Sequence, residues 1–336
     1  MTETLVGRYA GIVCDLDGVV RRGAQAVPYA VERLTGLRIR VVYATNNASL
    51  TPQDVAAQLV GLGLAVGPRD VVTSSQAGAA YLAALLPAGS PVLAVGGPGV
   101  AAALAEAGLT PHDRSDGGVR AVLQGYGATV TAADLAEASY AIQDGATWVA
   151  TNRDATLPTQ RGIAPGNGAL LGAVATATGV QPSASTGKPE PPLYDLSVAR
   201  LGASTTEVLA IGDRLDTDIL GAMAAGLDSL WVLTGVDDLV SFARSSGRPA
   251  PTYAARDLRA LDRPATRPTV EGRVVGCGSV RLSVDWSGGD LTVVAGEDPD
   301  DLVAAATAAL VHGRDVEGAP VDVLVRIAEA ATQRLG

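Results

Sequence analysis

The chain has 336 residues, enough for two or three domains, since a domain typically holds about 100–200 residues. Its net charge is −10, and no basic cluster is present to neutralise the phosphates of a nucleic acid. Its two cysteines are too few for a disulfide framework, and no run of 18 apolar residues predicts a membrane span. We therefore expect a cytoplasmic protein with no nucleic-acid partner and no membrane partner.

Apolar strands alternate with helical segments along most of the chain, a pattern that predicts a parallel sheet of the α/β type. The first predicted elements are, in chain order, strand 11–14, helix 29–37, strand 38–44, a helix that begins at Pro52, and strand 71–73. Thr51 fits the N-cap of that second helix, and Asp54 is placed to complete a capping box with it.

The alternation starts again near residue 88 and resumes its first rhythm after residue 183. The predicted elements of this block are strands 91–95, 121–124 and 147–150 and helices 102–107 and 131–143. After it come a helix that ends near 201, strand 207–211, helix 217–225 and strand 229–233. We therefore predict a Rossmann-like parallel-sheet core from residues 1–87 and 184–262, with an α/β cap domain inserted at 88–183.

A small C-terminal α+β domain is predicted at 272–336, after a linker at 262–271 that is rich in proline and threonine. Its elements are strands 279–284 and 291–294 and helices near 300–312 and 320–335. Residues 273–278 fit the R-x-x-G-x-G pattern of acetyl-CoA-binding loops in GNAT acetyltransferases, but they lead into a predicted strand and not into a pyrophosphate-binding helix. We favour an accessory domain that packs or mediates association, with a GNAT-like fragment as the alternative. A chain without residues 266–336 should then stay folded and active.

Two carboxylates two residues apart, Asp15 and Asp17, directly follow the first buried strand. In open α/β sheets, ligands bind at the carboxyl ends of the strands. Two such charges are costly there unless a cation or a reaction uses them. The alternative is a plain acidic turn, with Asp17-Gly18 as its turn residues.

Two further polar segments stand at predicted element ends. Thr45-Asn46-Asn47 follows a strand, and its hydroxyl, amide and backbone N–H groups can bind phosphoryl oxygens; alone, it would be interpreted as a capping or turn cluster. Lys188 lies between a glycine and a proline before a helix, in a chain that is nearly free of lysine. It is either a surface lysine or the cation that offsets the charge of a nucleophile and a phosphate.

A fourth acidic segment follows strand 207–211. Asp213, Asp216 and Asp218 place three carboxylates within six residues. This composition suits Mg²⁺, a hard cation that prefers oxygen ligands in an octahedral shell. The segment also fits an N-capped helix with Asp216 or Thr217 as the cap, and both interpretations can hold together.

In this order, the four motifs resemble those of the haloacid dehalogenase superfamily, over about residues 8–262. The cap between the second and third motifs is similar to that of NagD-like and p-nitrophenyl phosphatase-like enzymes. The further segments that match this branch are 73–77, 150–154, 156–158 and 165–168. With residues 212–219 and the added C-terminal segment, the chain looks most like actinobacterial glycerol-3-phosphate phosphatases.

The resemblance implies that Asp15 attacks phosphorus and forms an aspartyl phosphate, while Asp17 acts first as general acid and then as general base. Mg²⁺ would be bound by Asp15, by the backbone carbonyl of Asp17 and by Asp213, and through a water molecule by Asp218. Lys188 would orient the nucleophile and balance the charge of the phosphate.

The resemblance also implies roles in substrate binding. Thr45, Asn46 and Asn47 would bind the phosphoryl group. In the cap, Arg153 and the apolar Leu157 are the candidates for substrate choice. Arg153 and Arg161 either hold a substrate anion or are ordinary surface residues.

The function implied is a Mg²⁺-dependent phosphatase for a small phosphorylated metabolite, with glycerol 3-phosphate as the leading substrate. A sugar phosphate, phosphoglycolate or, in vitro, p-nitrophenyl phosphate is the alternative. A dehalogenase would not be expected to keep an acid at Asp17, and a phosphonatase would need a cap lysine, which residues 88–183 lack. A binding or regulatory protein that acts through its C-terminal domain is the non-enzymatic alternative, and a homo-oligomer is left open.

Overall fold

The computed structural model describes residues 3–115, 118–159, 161–245, 247 and 249–335. Its strands are, in chain order, β1 (Gly11–Cys14), β2 (Arg21–Arg22), β3 (Gln25–Ala26), β4 (Arg40–Thr45), β5 (Val71–Thr73), β6 (Pro91–Val95), β7 (Thr110–His112), β8 (Ala121–Gln124), β9 (Thr147–Ala150), β10 (Thr156–Thr159), β11 (Gly162–Pro165), β12 (Ala184–Ser185), β13 (Val208–Gly212), β14 (Asp228–Val232), β15 (Tyr253–Ala255), β16 (Thr269–Glu271), β17 (Val274–Cys277), β18 (Val280–Val284) and β19 (Leu291–Ala295).

The helices are α1 (Ala30–Thr35), α2 (Pro52–Gly61), α3 (Ser74–Leu85), α4 (Pro98–Glu106), α5 (Ala132–Gln143), α6 (Asn167–Thr178), α7 (Pro191–Leu201), α8 (Leu220–Ala224), α9 (Leu239–Arg244), α10 (Pro299–Asp315) and α11 (Val321–Leu335). A π-helical turn at Leu215–Ile219 precedes α8. Within the described residues, no helix combines the length and the apolar character needed to cross a membrane.

Two compact units divide the chain. The first consists of residues 1–41 and 203–336, and the second of residues 42–202. In the first unit, four parallel strands follow the order β15-β14-β13-β1. Every residue of β1 and β13 is buried, as is typical of parallel strands covered on both faces. The predicted α/β fold with a Rossmann-like parallel sheet is thus confirmed, whereas the predicted domain boundaries stay a prediction.

The second unit contains a five-stranded parallel sheet of order β12-β9-β8-β6-β7, together with the parallel pair β4 and β5. Successive side chains of a strand point to opposite faces of the sheet. Val92 and Leu93 of β6 accordingly enter different hydrophobic cores. The first core includes α3 and α4, and the second includes α5 and α6. The sheet is therefore covered by helices on both faces.

The predicted start of α2 is confirmed in atomic detail. The Thr51 hydroxyl accepts the Asp54 backbone N–H at 3.2 Å, and the Asp54 carboxylate accepts the Thr51 backbone N–H at 3.1 Å. Helix α5 begins with the same reciprocal pair between Thr131 and Asp134. Each pair satisfies N–H groups that have no partner inside the helix.

A four-stranded antiparallel sheet of order β16-β17-β18-β19 ends the first unit, together with α10 and α11. These C-terminal elements share one hydrophobic core with α9 and the parallel sheet, since Phe242 and Trp231 belong to the same cluster as Leu310 and Ile327. Arg263 also forms ion pairs with three carboxylates at the start of α10, those of Asp298, Asp300 and Asp301. This shared core conflicts with the expectation that a chain without residues 266–336 stays folded.

The predicted linker differs from the structure at its end, because β16 already pairs with β17 there. The β-branched Thr269 and Val270 favour this extended conformation. The R-x-x-G-x-G pattern lies in the β17–β18 hairpin, and the Asp301 carboxylate stands against its last glycine, Gly278, and the residue that follows. Ser279 donates its backbone N–H and its hydroxyl to Asp301 Oδ2, at 2.8 and 2.9 Å. An internal carboxylate therefore stands where the acetyl-CoA interpretation would place a pyrophosphate.

Because they share this core, the C-terminal elements should contribute to the free energy of unfolding of the first unit. Leu310 of α10 is 1% exposed in that core, so Leu310→Ala should lower the free energy of unfolding by about 2–5 kcal/mol. Val316, which is 69% exposed, offers the control, because Val316→Ala should change it by less than about 0.5 kcal/mol. Urea denaturation of both variants measures the difference. Equal midpoints would show that the C-terminal elements are not part of the core.

Candidate functional site

Three carboxylates meet at the carboxyl end of the parallel sheet in the first unit. Asp15, Asp213 and Asp218 each offer one oxygen, and these atoms all lie within 4.8 Å of one another. Asp15 follows β1 and Asp213 follows β13, and these two strands are paired neighbours. The Asp15 backbone N–H extends the pairing by donating to the Ile211 carbonyl at 2.9 Å. The parallel register therefore places both carboxylates at one edge, as their positions in the sequence predict.

The donor set fits Mg²⁺. Asp213 and Asp218 are buried and Asp15 is half-buried, so their negative charges repel one another with little screening by water. In an octahedral shell with bonds of about 2.0–2.1 Å, ligand oxygens stand about 3–4 Å apart, close to the separation allowed here. A hard divalent cation would remove the repulsion and use all three carboxylates. The site residues themselves thus support the predicted cofactor.

Glycines let the backbone come close to these carboxylates. A Cβ atom would lie 2.5 Å from Asp213 Oδ2 at Gly18 and 1.8 Å from it at Gly235. At Gly212, a Cβ atom would lie 2.1 Å from the Cβ atom of Asp218. Gly18 also has a φ of 98°, in the region that favours glycine. Any larger residue at these positions would displace a carboxylate.

Backbone and indole N–H groups fix the orientation of the two buried carboxylates and of their loop. Val236 N–H donates to Asp213 Oδ2 at 2.6 Å, and Arg214 N–H donates to Asp218 Oδ2 at 3.1 Å. The Trp231 indole donates to the Asp213 carbonyl at 3.0 Å. Such bonds to a charged acceptor are stronger than neutral ones and hold the side chain in one rotamer.

The contribution of residues 234–238 was missed by the sequence reasoning. This loop follows β14 and brings Gly235 and Val236 against Asp213, while the Thr234 hydroxyl donates to the Gly18 carbonyl at 2.7 Å. The available signal was the Thr-Gly pair directly after the predicted strand 229–233, at the same end of the sheet as the acidic motifs.

Asp17 has different surroundings. Its side chain is 61% exposed and accepts a hydrogen bond from Arg21 Nε at 3.1 Å. Arg21 is buried and is the first residue of the β2–β3 hairpin. The hairpin therefore fixes the Arg21 partner of Asp17, which is two residues from Asp15 in the sequence. The Asp17 carboxylate is not one of the three grouped oxygens. An exposed carboxyl group can exchange protons with a bound molecule. The contact between the metal and the backbone carbonyl of Asp17 stays a prediction.

In the second unit, Asn46 is the centre of a hydrogen-bond network that joins two motifs. Its side-chain oxygen accepts the Lys188 N–H at 2.7 Å, and its side-chain nitrogen donates to the Lys188 carbonyl at 3.1 Å. The same nitrogen donates to Asp154 Oδ2 at 3.2 Å, and Asn152 donates to the Asn46 carbonyl at 2.8 Å. Lys188 is 4% exposed. The Asn46 side chain thus holds the backbone of Lys188, and its predicted phosphate contact stays a prediction.

Thr45 and Asn47 form the turn that follows β4. Thr45 Oγ1 accepts the Asn47 backbone N–H at 3.1 Å, and Asn47 Oδ1 accepts the Ser49 backbone N–H at 2.9 Å. Both are local side-chain turns of the kind these residues favour. The capping interpretation of this segment therefore holds, and a hydroxyl group that accepts one hydrogen bond, as Thr45 does, can also donate one.

The cap candidates lie on a loop and a hairpin of the second unit. Arg153 is exposed, and its guanidinium donates to the Pro182 carbonyl at 3.3 Å. Leu157 is half-buried in β10, which pairs with β11, and Arg161 is exposed in the turn between these strands. The Pro182 carbonyl is uncharged, so this hydrogen bond does not neutralise the positive charge of Arg153. Asp154 of this loop lies in the segment 150–154 that matches the NagD-like branch, and its bond to Asn46 was not predicted.

Two family profiles match the chain. The profile described as haloacid dehalogenase-like hydrolase matches residues 12–110, and the HAD-hydrolase-like profile matches residues 185–261. The D-glycerol 3-phosphate phosphatase of Mycobacterium tuberculosis is 44% identical over 291 residues, which cover 87% of this chain and 80% of that protein. The acid sugar phosphatase of Staphylococcus aureus is 36% identical over 254 residues, 75% of this chain and 96% of that protein.

The fold has a solved counterpart. The crystal structure of a glycerol phosphate phosphatase from Mycobacterium tuberculosis in complex with magnesium superimposes with a TM-score of 0.85 at 39% identity. The match covers 100% of this chain and 99% of that one, so it includes the C-terminal elements. The resemblance predicted from the motifs is confirmed.

The close approach of Gly235 to Asp213 gives a direct test of the site. Gly235→Ala should weaken Mg²⁺ binding by about 10–100-fold, because the added methyl group displaces the carboxylate it would meet. Gly172→Ala is the control, since a Cβ atom there meets nothing within 4 Å. Isothermal titration of Mg²⁺ into both proteins measures the affinities. Unchanged binding in Gly235→Ala would mean that Asp213 does not bind the metal.

Proposed function

The chain belongs to the haloacid dehalogenase-like hydrolase family, and we propose that it is a Mg²⁺-dependent phosphatase that hydrolyses glycerol 3-phosphate. The observation that carries the proposal is the meeting of Asp15, Asp213 and Asp218 at the carboxyl end of the parallel sheet. Attack on an anionic phosphate ester needs a nucleophile, such as a carboxylate, and a cation that reduces the repulsion between the two negative charges. The mycobacterial relative, which is named for glycerol 3-phosphate, supports the substrate.

In the proposed first step, a carboxylate oxygen of Asp15 attacks phosphorus in line with the ester oxygen. The P–O bond to glycerol breaks as the bond to Asp15 forms, and Asp17 gives its proton to the leaving alkoxide. In the second step, Asp17 takes a proton from water as that water attacks phosphorus. Phosphate leaves and the Asp15 carboxylate is restored. The exposure of the Asp17 side chain supports the proton-transfer role, because this carboxyl group stays outside the buried cluster and open to a bound molecule.

The remaining charges of the reaction fall to cations. Mg²⁺ bound by Asp15, Asp213 and Asp218, with the backbone carbonyl of Asp17, would neutralise charge on the nucleophile and the phosphoryl oxygens. We assign Lys188 a similar electrostatic role, with its backbone held by Asn46. We assign Thr45, Asn46 and Asn47 to the phosphoryl group, because the turn after β4 carries the Thr45 hydroxyl, which accepts the Asn47 N–H and can itself donate to another oxygen.

For the alcohol part of the substrate we propose a role for the cap residues Arg153 and Leu157. A half-buried leucine offers no hydrogen bond and therefore favours a small alcohol over a large polar one. The acid sugar phosphatase among the relatives makes a sugar phosphate the second candidate substrate. The cap domain at 88–183, a cytoplasmic location and a homo-oligomer stay predictions.

The experiment is a phosphate-release assay on glycerol 3-phosphate, a sugar phosphate and p-nitrophenyl phosphate, with Mg²⁺ or with EDTA. We expect kcat/KM to be at least about tenfold higher for glycerol 3-phosphate. EDTA should abolish release, and excess Mg²⁺ should restore it, because the clustered carboxylates need the cation.

Asp15→Asn is the matched control, since it keeps the size of the side chain and removes the nucleophile; it should release no phosphate. Preference for the sugar phosphate would replace the substrate and keep the mechanism. Release that EDTA does not affect would contradict the metal role of the three carboxylates.

A further inference from the structure

Asp237 is a buried carboxylate outside the catalytic motifs, in the loop 234–238 between β14 and α9. It is 7% exposed, and both of its oxygens accept hydrogen bonds. Oδ2 accepts the Leu215 backbone N–H at 2.8 Å, and Oδ1 accepts the Ser241 hydroxyl at 3.1 Å. One side chain thus connects the start of α9 to a segment 22 residues away in the chain.

Leu215 is the residue where this connection matters for the metal site. It begins the π-helical turn Leu215–Ile219, and the first N–H groups of a helical turn have no partner within it. The Asp237 carboxylate supplies that partner with a negative charge, which the positive end of the turn favours. Asp213 lies two residues before Leu215 and Asp218 lies three residues after it. Fixing the Leu215 peptide therefore fixes the backbone between two of the three clustered carboxylates.

The neighbours of Asp237 act on the same carboxylates. Val236 donates its N–H to Asp213 Oδ2, and Gly235 lies against that side chain. Asp237 therefore completes a set of contacts in which consecutive loop residues hold both the side chain of Asp213 and the backbone that follows it.

We propose that Asp237 is a positioning residue for the Mg²⁺ site, and this inference rests on the proposed function. Asp237 is not a ligand: it is not one of the three grouped carboxylates, and its oxygens are directed to Leu215 and Ser241. Its part is to keep Asp213 and Asp218 at the separation that one cation can bridge. Outer partners of this kind set metal affinity because they determine the geometry of the ligands.

The other end of the connection is firm because α9 is well packed. Asp238 caps α9 by accepting the Ser241 N–H at 2.7 Å. Leu239 and Phe242 of this helix are buried in the core that Ile327 of α11 also enters. The C-terminal helices therefore stabilise the helix that directly follows the loop carrying Asp237, which links the C-terminal segment to the metal site through packing.

The test is isothermal titration of Mg²⁺ into the full chain and its variants, with the thermal midpoint recorded for each protein. Asp237→Ala should raise the Kd for Mg²⁺ by about 10–100-fold, with the KM for substrate nearly unchanged at saturating Mg²⁺. Asp237→Asn should stay within about threefold of the parent, because its carboxamide oxygen still accepts the Leu215 N–H. If the alanine variant does not fold, Asp237→Ser replaces it; its side chain is too short to reach Leu215, and the Kd should still rise at least about threefold.

Thr131→Ala is the matched control, because it removes a helix-capping hydrogen bond in the second unit. It should lower the thermal midpoint without a change in the Kd for Mg²⁺. Equal Mg²⁺ binding by Asp237→Ala and the parent would overturn the positioning role alone. Equal loss in the alanine and asparagine variants would also overturn it. A parent chain that binds no Mg²⁺ would overturn the proposed function, and this inference with it.

Discussion

The mutual repulsion of the Asp15, Asp213 and Asp218 carboxylates is the constraint on which the rest of the first unit depends. Three such oxygens within 4.8 Å are stable together only if a cation and fixed N–H groups compensate their charge. The parallel pairing of β1 with β13 brings two of them to one sheet edge. Glycines that leave room for the carboxylates, and backbone N–H groups that donate to them, keep them in place. A site that costs stability in this way indicates a function that uses it.

The catalytic motifs were predictable because they consist of characteristic polar residues that directly follow apolar strands. Asp15 and Asp213 follow apolar strands, so a parallel sheet had to bring them to one edge. The start of α2 was equally predictable, because a capping box needs only the local Thr51 and Asp54. In such places, the local sequence contains most of the interaction.

Other parts of the site were hidden because they depend on backbone groups or on distant contacts. Every residue type except proline has a backbone N–H, so the bond from Val236 to Asp213 cannot be recognised from the side chain at position 236. Asn46 suggested a phosphate contact, yet its carboxamide is used by the Lys188 backbone, which lies 142 residues away. Helix α6 escaped prediction because its small residues on all sides give no clear apolar face. The shared core of α9 and α11 escaped because periodicity identifies an apolar face but not its partner.

The central claim is that Asp15 becomes phosphorylated during turnover, and chemical trapping tests it most directly. The enzyme is mixed with Mg²⁺ and glycerol 3-phosphate, quenched during turnover and treated with borohydride, which reduces an acyl phosphate to an alcohol. Peptide mass mapping should then find homoserine in place of Asp15, and only when substrate and Mg²⁺ were both present. Phosphate release in the same samples, with Asp15 unmodified throughout, would contradict the covalent mechanism and favour direct attack by water.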